Sequence, residues 1–128
     1  SVSSKADVRG AFIDNELWIN QEEEVTFDDP RGSLSSAGAT VTTQCSAIIV
    51  GCLVAVGSYD AMMFGQGKPE DIAALAVIVT EAGGKVTDIF GNPQRYDTNI
   101  KGAIVSNSNI HEEIVKVTKN MNYTSKYL

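Results

Sequence analysis

Two segments without a polar face constrain this chain more than any other feature. From Ser46 to Gly57, and again from Pro69 to Ala82, apolar residues fill nearly every helical position, and a helix of that kind must be covered on several sides. The longest apolar run, Ala47 to Val56, contains Gly51 and falls well short of the roughly 20 residues that span a bilayer. These segments therefore read as interior helices. Ala103-Ile104-Val105 is a continuous apolar run of the type found in strands buried on both faces. Helices and a doubly covered strand together imply an α/β fold, a mixed β-sheet covered by helices.

Punctuation along the chain agrees with this. Pro69 suits a first helical position, where its missing N–H is not needed, and Gly83-Gly84 suits a helix C-terminus. Ser58 to Phe64 reads as a strand closed by Gly65-Gln66-Gly67. Lys85 to Phe90 and Gly102 to Ser106 read as two more, with turn chemistry at Gly91-Asn92-Pro93. Asn109 and Glu112 have the spacing of a capping box opening a last helix, with Ile110, Ile114, Val115 and Val117 on its apolar stripe. Past Asn120 the pattern is that of a frayed end. Near the start, Gly10 to Ile13 and Glu16 to Ile19 flank Asp14-Asn15, which predicts a β-hairpin. Ser33 to Gly38 fits a short helix or a loop.

Composition narrows the function. The chain has 128 residues, 43% apolar and 20% charged, enough for one domain with its own core. Its formal charge of −6 argues against a nucleic-acid partner, because that binding is driven by Lys and Arg on phosphates. Ser1 to Gly10 has no apolar stretch of a secretory signal, so the cytoplasm is the expected compartment. Cys45 and Cys52, seven apart in the first apolar helix, would lie about 10 Å apart along its axis, too far for a disulfide. They read as ordinary buried thiols.

Chemistry concentrates at Gly65-Gln66-Gly67-Lys68-Pro69-Glu70-Asp71, where glycines lead into a helix N-terminus, a place that attracts anions. It is not a P-loop, because Pro69 stands where Ser or Thr must meet magnesium. Asp71 alone needs no function, since an acidic residue in a first helical turn already suits the dipole. Lys68 fits a solvated side chain or an anion contact. Glu22, Glu23 and Glu24 read as a solvated rim, and Asp28 to Gly32 as a turn. No Ser or Cys nucleophile can be paired with His111 from the sequence, so nothing in it points to a triad.

Together, Pro69-Glu70-Asp71-Ile72-Ala73-Ala74 and Glu81-Ala82-Gly83-Gly84-Lys85-Val86-Thr87-Asp88 resemble the C-terminal signature of the inositol monophosphatase family, Trp-Asp-apolar-Ala followed by an apolar helix and Glu-Ala-Gly-Gly. Ser46-Ala47 through Asp60-Ala61 resembles the family's helix and Asp-Ala strand, and Arg9 to Asn15 its Gly-Ala-Phe hairpin. The resemblance runs from about Arg9 to Val117. It implies the C-terminal domain of an inositol monophosphatase-like sugar phosphatase fold over residues 1–128, with magnesium as cofactor. It further implies that Asp71 binds the metal near the substrate and that Cys45, Ser46 and Ala47 contact the substrate alcohol, Ala47 through backbone alone. The implied reaction is hydrolysis of a small phosphorylated alcohol or sugar.

Three departures from the pattern bear on the substrate. Glu70 replaces a Trp, Phe64 replaces a carboxylate that contacts hydroxyls in inositol-specific members, and Thr42 stands where many members have Arg. The family's N-terminal Glu-Glu pair, Asp-Pro-Ile/Leu-Asp-Gly-Thr loop and nucleophile-activating threonine do not occur in these 128 residues. Displacement at phosphorus by metal ions needs several carboxylates, so the chain is expected to be inactive alone. Its expected partners are the rest of the parent protein, a second copy of itself and a small phosphorylated substrate, without nucleic acid or membrane. A stand-alone non-catalytic binding module of the same fold is the alternative.

Overall fold

The computed structural model describes all 128 residues, and the apolar pattern sets its layers. A five-stranded mixed sheet has the order β3-β1-β4-β6-β5, formed by β1 (Phe12–Glu16), β3 (Thr40–Thr42), β4 (Ala61–Phe64), β5 (Lys85–Thr87) and β6 (Ala103–Ser106). β3, β1 and β4 run parallel, whereas β6 is antiparallel to both β4 and β5. Helices α2 (Ala47–Ala55) and α3 (Glu70–Glu81) cover one face, α1 (Arg31–Ser36) and α4 (His111–Thr118) the other. A separate two-stranded ribbon pairs β2 (Thr26–Phe27) with β7 (Tyr123–Thr124).

Alternation along the central strands builds two cores. Met62, Phe64, Ala103 and Val105 point toward α2 and α3, where Val50, Val54, Ile72, Leu75 and Val79 meet them. Ala61, Met63 and Ile104 point the other way, against Leu34, Ile110 and Ile114. Gly51 lets the two apolar helices approach: a Cβ there would lie 2.4 Å from Leu75 Cδ1. Helix α3 ends as the glycine pair suggests, with Gly83 at φ +95°. No helix is long and apolar enough to cross a membrane.

The predicted hairpin at Asp14-Asn15 is absent. Residues 12–16 form one uninterrupted central strand, with Asp14 opposite both Thr42 and Met62. Parallel partners on both sides satisfy its backbone, and Thr42 and Gln44 satisfy part of the Asp14 side chain, so nothing favours a turn there. Ser33 to Gly38 resolves as helix through Ser36. The capping box is also absent. The α4 cap has no side-chain bond of its own, and Asn107 Oδ1 instead accepts from the Ile110 N–H at 3.2 Å. Residues beyond Asn120 are tied down rather than frayed: β7 pairs with β2, the Tyr123 hydroxyl donates to Gly65 O at 2.6 Å, and the Lys126 N–H donates to Glu23 O at 3.0 Å.

Candidate active site

Where β1 and β4 end and α2 and α3 begin, the chain forms an open cavity of about 900 Å³. Cys45, Ser46, Ala47 and Asp71 all line it, so the residues singled out in sequence converge although 24 positions separate Ala47 from Asp71. Ser46 is the N-cap of α2, its hydroxyl accepting from the Ile49 N–H at 3.4 Å. Asp71 lies in the first turn of α3 beside Glu70 and is exposed to the cavity. Two helix N-termini thus open on one space, an arrangement that favours a bound anion.

Cys45 departs from the sequence reading. The helix begins after it, at Ala47, and Cys45 is an exposed thiol in the left-handed region at φ +60°, a conformation that side-chain-bearing residues pay to adopt. Cys52 is half-buried, and both thiols are free. The strained turn at Cys45 aims two successive backbone N–H groups, of Gln44 and Cys45, at Glu16 Oε2, each at 3.2 Å.

Glu16 is the residue that sequence reasoning missed. It ends β1 directly opposite Phe64, is 2% exposed and lines the cavity. Two positions earlier on the same strand face, Asp14 is fully buried. Its Oδ1 accepts from Thr42 Oγ1 at 2.8 Å and from the Gln44 N–H at 3.0 Å, while its Oδ2 has no partner. Burial first, then the hydrogen bond and charge of Asp14, push the Glu16 carboxyl up to about 7, against the pull of the two backbone donors. A proton on Glu16 is the donor that Asp14 Oδ2 can accept from. A strand reading of Phe12-Ile13-Asp14-Asn15-Glu16 would have placed both carboxyls on one face.

The acidic run is not wholly a solvated rim. Glu23 is buried, lines the cavity, and accepts from the Gly67 N–H at 2.9 Å. The glycine corner therefore spends an amide on the chain's own carboxylate, which agrees with its failing as a phosphate loop. Asn20 Nδ2 donates to Gln66 Oε1 at 2.7 Å, fastening the acidic loop to the same corner. Lys68 is exposed at the cavity wall. His111 lies outside the site and is wholly buried between Thr87 Oγ1 at 2.9 Å and Ser106 Oγ at 2.7 Å.

No three His, Cys, Asp or Glu side chains converge closely enough to hold a metal ion. Asp71 offers a single carboxylate, so these residues by themselves do not complete a catalytic magnesium site.

Comparison with known proteins agrees with the fold. The model of the inositol monophosphatase family matches residues 1–123, and the chain belongs to that family. A fructose-1,6-bisphosphatase/inositol-1-monophosphatase from Thermotoga maritima is 42% identical over 72 residues, 56% of this chain and 27% of the relative. The protein of the same name from Aquifex aeolicus is 33% identical over 106 residues, 83% of this chain and 35% of the relative. The chain thus spans about a third of the length of these relatives. Among solved structures, an inositol monophosphatase (IMPase) from Thermotoga maritima superposes with a TM-score of 0.77 at 28% identity, covering 91% of this chain and 43% of that one. An IMPase/NADP phosphatase complexed with Mg2+ and phosphate shares the fold with a TM-score of 0.74 at 22% identity, over 90% of this chain and 41% of that one.

Proposed function

We propose that this chain is the C-terminal half of a magnesium-dependent phosphomonoesterase acting on a small phosphorylated alcohol or sugar, and that residues 1–128 form one domain of it. The observation that carries the reading is the convergence of Asp71 with Cys45, Ser46 and Ala47 on one cavity at two helix N-termini. In the parent, Asp71 contributes one metal ligand and the remaining ligands come from outside this chain. Magnesium, when bound, would neutralise charge at the phosphoryl oxygens and lower the pKa of water. This chain's own part is positional. The α2 N-terminus, with Ser46 holding its first turn and the strained Cys45 turn shaping its entrance, directs backbone N–H groups toward the substrate. Trp18, Ile48 and Phe64 supply the apolar part of the wall.

The isolated chain is expected to show no phosphatase activity with millimolar magnesium on p-nitrophenyl phosphate or inositol monophosphate. The complete parent reading frame should be active, and Asp71→Asn in it should lower kcat/KM at least about 100-fold, the loss of several kcal/mol at the transition state. Metal-dependent turnover by the 128-residue chain, abolished by Asp71→Asn, would overturn the half-enzyme reading. A parent lacking the Asp-Pro-x-Asp-Gly-Thr loop would favour a non-catalytic binding module.

A further inference from the structure

Once Glu16 supplies a proton to Asp14 Oδ2, one buried side-chain polar atom is left without a partner, Asn15 Oδ1. Asn15 is 5% exposed, and buried polar groups in folded proteins nearly always have a partner. Along β1 it alternates with Asp14 and Glu16, so it shares the face of Ile13, which packs on the α1 side of the sheet. There it lines a second open cavity, of about 540 Å³. Leu17, Trp18 and Phe27 give this space apolar walls. Arg31 and Asp29 line it too, but Asp29 accepts from both Nε and Nη2 of the guanidinium, so the lining carries no net charge. Trp18 and Ile19 line both cavities. The second one therefore lies across the 17–19 segment from the candidate active site and shares none of Cys45, Ser46, Ala47 or Asp71 with it.

We propose that this cavity binds a small, uncharged, planar ligand carrying a carboxamide, or an equivalent N–H beside a C=O, and that Asn15 is its anchor. The lining selects that class. Asn15 Oδ1 needs a donor and Nδ2 offers one, and a second amide meets both with two parallel hydrogen bonds. A carboxylate would meet Nδ2 but set a negative oxygen against Oδ1. A hydrocarbon would leave both atoms unmet, at the cost of burying them unpaired. Arg31 adds no net pull on an anion, because Asp29 already neutralises it. Trp18 and Phe27 provide the aromatic surfaces against which a flat ring packs. The fold itself gains nothing from an amide here, since an apolar side chain of similar shape, such as leucine, would leave no polar atom unpaired. The partner of the amide therefore comes from outside the chain.

Benzamide is the probe, titrated by NMR into the full 128-residue chain labelled with 15N, with benzoate and toluene as controls. Benzamide should saturate one site, shifting the Asn15 side-chain NH2 and the indole of Trp18, the single tryptophan. Benzoate and toluene should bind at least roughly tenfold more weakly, the loss of one net hydrogen bond. Asn15→Leu should weaken benzamide binding by a similar factor and yet raise the urea midpoint, because it removes a buried unpaired amide. In the wild-type chain, nuclear Overhauser contacts from the ring protons should reach Leu17, Trp18 and Phe27. No saturable shift, equal binding by Asn15→Leu, or contacts only to Ile48 and Phe64 of the other cavity overturns the proposal. So does a lower midpoint in Asn15→Leu, which would mean that the amide is satisfied within the fold. Benzoate binding as tightly as benzamide overturns it in favour of an anion contact at Arg31. Binding by the 128-residue chain that disappears in the complete parent overturns it in favour of a segment of the parent filling the cavity. None of these readouts uses magnesium, phosphate or turnover, so the outcome is independent of the phosphatase reading.

Discussion

Glu16 and His111 are both buried titratable residues, and they pull the pH dependence of stability in opposite directions. Burial, then the charge of Lys85, depresses the His111 imidazole to about 4. The Thr87 hydroxyl already donates to Asp88 O, so it accepts from Nε2–H, and Nδ1 accepts from Ser106. The ring is thus held neutral, with no acceptor placed for a second proton. The unfolded chain binds that proton below about 6.5 and the folded chain only near 4, so His111 costs stability as pH falls through this window. Glu16 does the reverse: the folded chain keeps its proton up to about 7 and the unfolded chain releases it near 4.5, so stability falls as pH rises between them. His111 can shift stability by about 3 kcal/mol across its window, and Glu16, which opens on the solvent-filled cavity, by less. Urea unfolding with chelator present should therefore give a shallow profile for the wild type between pH 4.5 and 6.5. In Glu16→Gln the His111 slope should emerge, with stability rising steadily with pH. Identical profiles for the two proteins would show that Glu16 does not carry the buried proton.

At the scale of elements, the closest approach is α2 on α3 at Gly51. Alanine there gains up to about 1 kcal/mol of helix propensity, but its methyl must displace the buried Leu75, and overpacking typically costs about 1–3 kcal/mol. Gly51→Ala should be net destabilising by about 1 kcal/mol, read as a lower urea midpoint at unchanged slope. Gly51→Ala with Leu75→Ala should recover part of the loss beyond the sum of the single effects. These two helices, β6 and the apolar stripe of α4 were legible in the sequence because each is decided by its own side-chain pattern. β1 was not. Its Asp14 and Asn15 look like a turn until parallel strands arrive from residues 40–42 and 61–64, and no local pattern announces partners so distant. The same holds for β7, whose few residues are held by contacts to Gly65, Glu23 and β2. The site divides likewise. The Asp71 corner and the Ser46 helix start carry motifs, whereas Glu16 acquires its character from burial and from Asp14, which only the assembled sheet supplies.

For the whole molecule, the telling feature is what the helical layer leaves uncovered. α2 and α3 bury one side against the sheet, yet Ile49 is 60% exposed, Val56 66% and Val77 64%, with Ile78 beside them. Large apolar patches on a monomer mark surfaces that meet a partner, and the chain spans 43% of the solved relative's length. The outer face of these helices is therefore the surface we assign to the rest of the parent protein, and in the isolated chain it should drive self-association. Sedimentation velocity should show a concentration-dependent shift toward dimers or larger species, together with binding of a dye that reports exposed apolar surface. Ile49→Lys with Val77→Glu places charge on both helices at positions already facing solvent, so it should suppress association and dye binding with little change in unfolding free energy, as surface substitutions usually stay within about 0.5 kcal/mol. A wild-type chain that sediments as a single monomer at all concentrations and binds no dye would mean that this face needs no cover, and the inference of a missing half would lose its structural support.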